Sequence, residues 1–375
     1  MNTIIGSICN LLSPVAARTS PYLLFVAHLS KGLAQGISRA AIALLSARWF
    51  PICEKGYLSA FVLSGFSIGG VIGSAVSGPV CELDFDGGWP LAFYIFGLFG
   101  IFVSILIILF YVEKPVDDPS ISQKELKYIL ENTNNITAAD HPPIPWTAML
   151  TSVPTYALII AMFGQYWMMN YLLIHPFFMD TILNIPVKEN GLLTSGPQFA
   201  QAIAGLTACC FSFWINRNDT SKIYLARKGC NSLAVAMFLV GLVGIYFSNC
   251  DLLWNIVFLY FISAAPAFTF GGSVIAAVDM TPTYCGPLMG LSTTVASLPG
   301  FMIPILTGKL TKYEQTMSQW HKLFLITSIV VSLNGVVFLI WGSTEIQPYD
   351  PAYRTEKRPE SKPDVIVLEH SSTYF

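Results

Sequence analysis

Four polar residues interrupt one of the most apolar stretches of the chain. They are His28, Lys31, Gln35 and Arg39, within PYLLFVAHLSKGLAQGISRAAIALLSARWFPICEK over residues 21–55. On an α-helix each residue advances about 100° around the axis. Relative to His28, Gln35 and Arg39 then lie about 20° to either side, Ser46 falls in line, and Lys31 sits about 60° away. The residues form one stripe. A cation in hydrocarbon costs roughly 2.5 kcal/mol or more unless it faces a polar interior. Lys31 and Arg39 on one span therefore point to a helix lining a wet cavity, where positive charge offsets the desolvation of an anion. The competing reading is that both side chains snorkel or pair internally and serve structure alone. Gly32 and Gly36 form a GxxxG pair, which predicts close approach by another helix.

The rest of the chain must place that stripe in a membrane. Of its 375 residues, 54% are hydrophobic and 11% charged, against about 25% charged in a soluble domain. This is the composition of a polytopic, all-α membrane protein. A net charge of −2 carries no nucleic-acid signal. The eight cysteines include no CxxC pair, and their spacing implies no disulfide framework. The N-terminus lacks a basic leader and a cleavage site, so it reads as the start of a span.

A span needs about 20 mostly apolar residues. Ten stretches fit, at about residues 1–17, 21–49, 57–80, 89–112, 148–183, 191–215, 230–247, 252–278, 284–306 and 323–341. In the third, Gly65, Gly69, Gly73 and Ser77 recur every fourth residue and predict a close-packing edge. The fifth is interrupted by Pro154 and Pro176. Ser122 and Glu125 form a capping box that opens a short helix in the long polar stretch. The expected organisation is an incomplete four-span half-bundle over 1–112 and a linker with a short helix over 113–146. A six-span half-bundle over 147–343 and a disordered tail over 344–375 follow.

Basic residues are unevenly placed. With the tail assigned to the cytoplasm, 13 Lys and Arg fall in the loops and tail on that side and 5 on the other, as the positive-inside rule expects. The sequons at Asn135 and Asn218 then face the cytoplasm and stay unglycosylated.

The fourth and tenth spans echo each other. Trp89, Phe93 and Ile95 are matched by Trp320, Phe324 and Ile326, and Glu113-Lys-Pro115 by Glu345-Ile-Gln-Pro348. The paired segments lie six spans apart, and a parallel six-span repeat is the internal architecture of major facilitator transporters.

At the level of motifs the chain resembles solute carrier family 17, the anion:cation symporters. That family includes sialin, the vesicular glutamate transporters and sodium–phosphate cotransporter relatives. Trp49-Phe-Pro51-Ile-Cys-Glu54-Lys55 matches the family's W-x-P-x-x-E-R loop, and Gly88-Trp89 with Phe93-Tyr94 matches its GW…FY segment. Ile121-Ser122 with Glu125 and Tyr128-Ile129, then Pro145-Trp146 with Thr151-Ser152-Val-Pro154, fit its central region. Asn190-Gly191, Arg227-Lys228 and Asp279-Met-Thr-Pro282-Thr-Tyr284 also fit. On the family's twelve spans, this chain corresponds to the third through twelfth, a major facilitator bundle of about ten transmembrane helices.

The resemblance implies secondary active transport of an organic or inorganic anion by alternating access, in symport with H⁺ or Na⁺. It implies a plasma-membrane, vesicular or lysosomal location. It also shows departures. Where the family carries a substrate-binding arginine and a proton-coupling glutamate, this chain has His28 and Gln35. Gln165 stands where the glutamate transporters carry an arginine, and Ala276-Ala277 where well-known members have Asn-His. Ser212-Phe-Trp214-Ile-Asn216 replaces an expected aspartate region, and the first family span has no counterpart. Gln35 cannot exchange a proton, which argues against proton coupling through that position.

The candidate substrate-contacting set is His28, Lys31, Gln35, Arg39, Gln165, Asn170 and Tyr171. Aromatic and amide groups on the fifth span suit a carboxylate-bearing solute, or they simply pack. Glu54, Lys55, Arg227 and Asp279 are candidates for gating or structural roles. His175, beside Pro176, reads as a hydrated structural histidine. No metal-ligand cluster, phosphate-binding loop or nucleophile set appears, so no enzyme activity and no cofactor are expected. The expected partners are a small anionic solute, H⁺ or Na⁺, and the lipid bilayer. Two further readings stand beside transport: a sensor or scaffold of the same fold that no longer transports, and a shortened isoform or incomplete gene model.

Overall fold

The computed structural model describes residues 2–51, 55–83, 86–132, 143–218, 223–248, 251–351 and 353. Within these, the side chains of 37–44, 46–48, 55–61, 63–64, 66–67, 187, 209 and 212–218 lie outside the description. Among the described residues the chain is helical throughout. The amino-terminal part comprises α1 (Asn2–Thr19), α2 (Pro21–Trp49), α3 (Lys55–Cys81) and α4 (Trp89–Phe110). A short α5 (Gln123–Asn132) follows in the polar stretch, and the Ser122 hydroxyl accepts from the Glu125 N–H at 3.2 Å, as a capping residue should.

The carboxyl-terminal part begins with α6 (Trp146–Thr151) and α7 (Val153–Thr181). Extended backbone at Ser152, just ahead of Pro154, separates the two. Pro176 does not end α7. The Asn190 amide instead donates to the Pro176 carbonyl at 2.7 Å, bracing the helix where proline removes its own ladder bond. Next come α8 (Val187–Asn218), α9 (Ile223–Ser248), α10 (Leu252–Thr269) and α11 (Ile275–Met280). Then follow α12 (Cys285–Ala296), α13 (Pro299–Thr311) and α14 (Met317–Trp341).

Helices α10 and α11 form one bent rod. A π-helical turn, Phe270–Val274, joins them, and Gly272 leaves helical geometry there (φ −103°, ψ −109°). The turn is squeezed between its neighbours. A Cβ at Gly271 would lie 2.9 Å from the Ala208 carbonyl oxygen, and one at Gly272 would lie 2.9 Å from the Asn231 nitrogen. Only glycine fits between α8 and α9 at this point. With that rod and the α12–α13 rod each counted once, and the short α5 and α6 left aside, the described helices form ten rods. Six are both long and apolar enough to cross a membrane, Trp89–Phe110 and Met317–Trp341 among them.

The carboxyl-terminal half holds the main apolar core. Trp167, Tyr171, Phe178, Phe238, Trp320 and Phe324 form its aromatic centre. In the other half, α4 leaves Phe99, Phe102, Ile108 and Leu109 exposed, the surface a lipid-facing span presents.

The two halves meet chiefly where α3 lies along α8. A Cβ at Gly191 would lie 2.8 Å from the Gly78 Cα and from the Ser74 carbonyl oxygen. The Gln198 amide donates to the Ser74 hydroxyl at 2.8 Å, and Lys188 pairs with Glu82 at 3.3 Å. The working edge of α3 is thus Gly70, Ser74 and Gly78. The neighbouring stripe expected from the sequence is not used, since a Cβ at Gly65, Gly69 or Gly73 would meet open space. Two small-residue stripes lie side by side on this helix, and the shape of α8 selects between them. The Gly32–Gly36 pair likewise has nothing close to it.

At the end of the bundle where residues 342–351 lie, the tail end, Arg227 at the start of α9 holds the bent rod. Its Nε donates to the Asp279 carboxylate at 2.8 Å and its Nη1 to the Gly271 carbonyl at 3.2 Å. Arg227 is 2% exposed. Beside it, Lys228 donates to the Tyr224 hydroxyl and to the Leu339 carbonyl at the end of α14. Residues 347–350, read from the sequence as part of a disordered tail, pack against this end of the bundle. Asp350 is buried there because Thr283 offers it two hydrogen bonds.

Two measurements test this packing. Gly191→Val should lower the thermal unfolding midpoint of the purified protein, since overpacking a helix contact costs about 1–3 kcal/mol. Gly73→Val, in open space, should leave the midpoint near wild type. Arg227→Met should be strongly destabilising, by about 3 kcal/mol, because Asp279 loses its cation. The double replacement Arg227→Met with Asp279→Asn should recover part of that loss in the same melting assay.

Candidate substrate path

The polar stripe on α2 does not act as one surface. His28 is exposed, and its ring nitrogen lies 3.0 Å from the Leu24 carbonyl oxygen. Gln35, two turns on, is also exposed. Lys31 turns aside, as its 60° offset permits. Its ammonium group donates to Asn10 Oδ1 on α1 at 3.0 Å, and the Asn10 amide donates to the Phe93 carbonyl on α4 at 3.2 Å. A three-helix relay therefore satisfies the lysine inside its own half-bundle. Arg39 belongs to α2, but its side chain lies outside the description, as do Glu54 and the side chain of Lys55.

The candidates on α7 divide in the same way. Asn170 is part-exposed. Its amide donates to the Tyr166 carbonyl at 2.8 Å, and its oxygen faces Gly300 at the head of α13, where a Cβ would sit 3.6 Å away. Tyr171 is 2% exposed and packs edge-on against Phe238 and Phe324, with ring centroids 5.6 and 6.3 Å apart. His175, one turn on, is buried edge-on against Tyr171 and Phe178. The sequence reading of a hydrated histidine is corrected here: the spacing 171, 175, 178 puts all three on the core face of α7.

Gln165 faces the interior of the carboxyl-terminal half. With Asn231 on α9 and Asn334 on α14 it lines a cavity of about 10 Å³, the size of one water molecule. Asn334 Oδ1 is buried without a protein partner. Gly164 and Gly335 make this junction tight. A Cβ at Gly164 would lie 2.7 Å from that of Asn334, and one at Gly335 would lie 2.9 Å from Val235. The sequence offered a signal for this trio, three amides on three apolar helices, but no means of bringing them together.

His28 and Gln35 on the stripe are thus exposed, and Asn170 on α7 is part-exposed. Lys31, Gln165 and Tyr171 are committed to contacts within their own halves. Arg227 and Asp279 are joined in the clamp at the tail end. Among the described residues no group of His, Cys, Asp and Glu could hold a metal ion.

Comparison with known proteins agrees with this architecture. Residues 2–304 match the model of the Major Facilitator Superfamily. A putative inorganic phosphate cotransporter of Drosophila ananassae is 30% identical over 374 residues, covering 99% of this chain and 76% of that protein. The sodium-dependent phosphate transport protein 1 of Homo sapiens is 31% identical over 350 residues, covering 92% and 73%. The vesicular glutamate transporter 3 of Danio rerio is 28% identical over 358 residues, covering 94% and 60%. A bacterial homologue of the human lysosomal transporter Spinster, in an inward-facing and occupied conformation, superposes with a TM-score of 0.65 at 12% identity. That superposition covers 90% of this chain and 80% of the bacterial one and speaks for the fold alone. Helix order, the loop motifs and these likenesses agree: the chain is an integral membrane protein of the Major Facilitator Superfamily and belongs within it to solute carrier family 17.

Proposed function

We propose that the chain is a secondary transporter that carries a small anion across the membrane by alternating access, coupled to a cation. The observation that carries this reading is the 30% identity to a putative inorganic phosphate cotransporter along 99% of the chain. Inorganic phosphate is the first substrate to test. Na⁺ is the favoured coupling ion. A relative 31% identical is named as sodium-dependent, and Gln35 supplies no exchangeable proton on the α2 stripe. H⁺ coupling is the alternative.

The proposed path runs between the halves, whose main contact is α3 on α8, and His28, Gln35 and Asn170 are its proposed polar contacts for an anion that keeps part of its hydration. Arg39 is proposed as a further cationic contact. Lys31 acts at one remove, its charge fixed by Asn10. Gln165 and Tyr171 shape α7 from behind. The tail end is proposed to be cytoplasmic, where most loop and tail Lys and Arg residues gather. The host membrane is the plasma membrane or that of a vesicle or lysosome.

Radiolabelled phosphate uptake into proteoliposomes tests the reading. Saturable uptake should follow an imposed inward Na⁺ gradient and fall to background when choline replaces Na⁺. A pH gradient alone should give little. Arg39→Ala and Lys31→Ala should each raise KM by about tenfold, the equivalent of 1.4 kcal/mol of lost anion binding. Unchanged KM and rate in both variants would remove the stripe from the binding surface. If phosphate and organic anions show no gradient-driven flux with well-folded protein, the non-transporting reading replaces this one.

A further inference from the structure

The segment after α14 does not leave the bundle at once. It crosses the tail end and makes contacts with two elements that are far apart in sequence. The Gln347 N–H donates to the Met280 carbonyl, the last of α11, at 2.9 Å. The Gln347 side-chain oxygen accepts from Ser152, the residue that caps α7, at 3.3 Å. The Tyr349 hydroxyl lies 3.3 Å from that of Thr155 in the first turn of α7. Asp350 is 1% exposed. Its two carboxylate oxygens accept from the Thr283 hydroxyl at 2.7 Å and the Thr283 N–H at 3.1 Å.

These contacts converge on the short piece that begins after the π turn. α11 is six residues long and is joined to α10 through the non-helical Gly272. π-turns and glycine kinks are where helices bend. A six-residue arm beyond such a joint has little intrinsic stability of its own, so its position depends on what grips its far end. Two grips are present. Arg227 holds Asp279 from the α9 side, and residues 347–350 hold Met280 and Thr283 from the α7 side. A buried carboxylate is costly to desolvate, so it persists only where its hydrogen bonds, two of them from Thr283, are made.

We propose that residues 347–350 form a strap that pins α11 back against α7. Asp350 and Gln347 are its positioning residues, and release of the strap frees α11 to swing about Gly272. The part of this proposal that concerns turnover rests on the transport reading above. The strap itself does not.

Hydrogen–deuterium exchange on the full-length protein in nanodiscs separates the two. Asp350→Ala should speed exchange over residues 275–284 by about fivefold or more, as expected when a cooperative local contact is lost. Exchange in the centre of α14 should stay within about twofold of wild type. Thr283→Val, a milder change that removes only the hydroxyl donor, should act in the same direction. The double variant should differ little from Asp350→Ala, because both changes break one contact. Asp118→Ala, in the polar stretch before α5, serves as the control and should change nothing over 275–284. In the phosphate uptake assay, Asp350→Ala should alter the maximal rate by about threefold or more while KM stays within about twofold, the split expected of a conformational step. Unchanged exchange over 275–284 in both single variants would overturn the strap, as would equal acceleration throughout α9 and α14. A KM that moves as far as the rate would overturn its role in gating. Absence of phosphate flux in the wild type would count against the transport reading and leave the exchange result to decide the strap.

Discussion

Inside a hydrocarbon layer no water stands ready to pair with a charge or a backbone carbonyl, so each such group must find its partner within the protein. Charges buried in protein at the tail end of the bundle face the same demand, and much of the described polar architecture follows from it. Lys31 is joined through Asn10 to the Phe93 carbonyl, so one cation ties α2, α1 and α4 together. Arg227 meets both the Asp279 carboxylate and the Gly271 carbonyl. Lys228 reaches the last turn of α14 and lies 4.3 Å from the centre of the Tyr224 ring. Asp350 ends on Thr283. The links from Lys31 to Asn10, Arg227 to Asp279 and Lys228 to Leu339 each cross between helices, so there satisfying the charge and fixing the helix are one act.

The same constraint separates residues whose polar groups are bonded within their own half-bundle from residues that stand exposed. A cation bonded within its half-bundle keeps its charge and lends it to the local potential, but its donors are occupied. An exposed imidazole or amide, such as His28 or Gln35, keeps free hydrogen-bonding capacity. On α7 the core face takes Tyr171 and His175, while Asn170 keeps the edge toward α13.

Close packing supplies the remaining rigidity, and here glycine decides. Gly191 against Gly78, Gly164 against Asn334, and Gly271 against Ala208 each mark a place where one methyl group would force helices apart. Van der Waals contact is the main attraction left between apolar helices in lipid. The joint at Gly272 uses the same residue type for the opposite purpose. There it permits a bend in a rod that otherwise runs from Leu252 to Met280.

By itself the sequence determined the class of molecule: a helical membrane bundle and its family. Composition, span length and loop motifs are local properties, and the bilayer enforces them on the chain before any tertiary contact forms. The candidate site was only half legible. The spacing of His28, Lys31, Gln35 and Arg39 gave a stripe, but periodicity fixes angles about one axis and says nothing of which neighbour stands at each angle. Hence Lys31, 60° off the line, turned to Asn10, and α3 used Gly70, Ser74 and Gly78 in place of the equally regular stripe beside them. The strap over residues 347–350 was invisible for the same reason. A proline-bearing polar segment reads as disordered until Met280, Ser152 and Thr283, distant in sequence, are brought together to receive it. Those pairings are set by how the helices are arranged around one another, and only the tertiary structure fixes that arrangement.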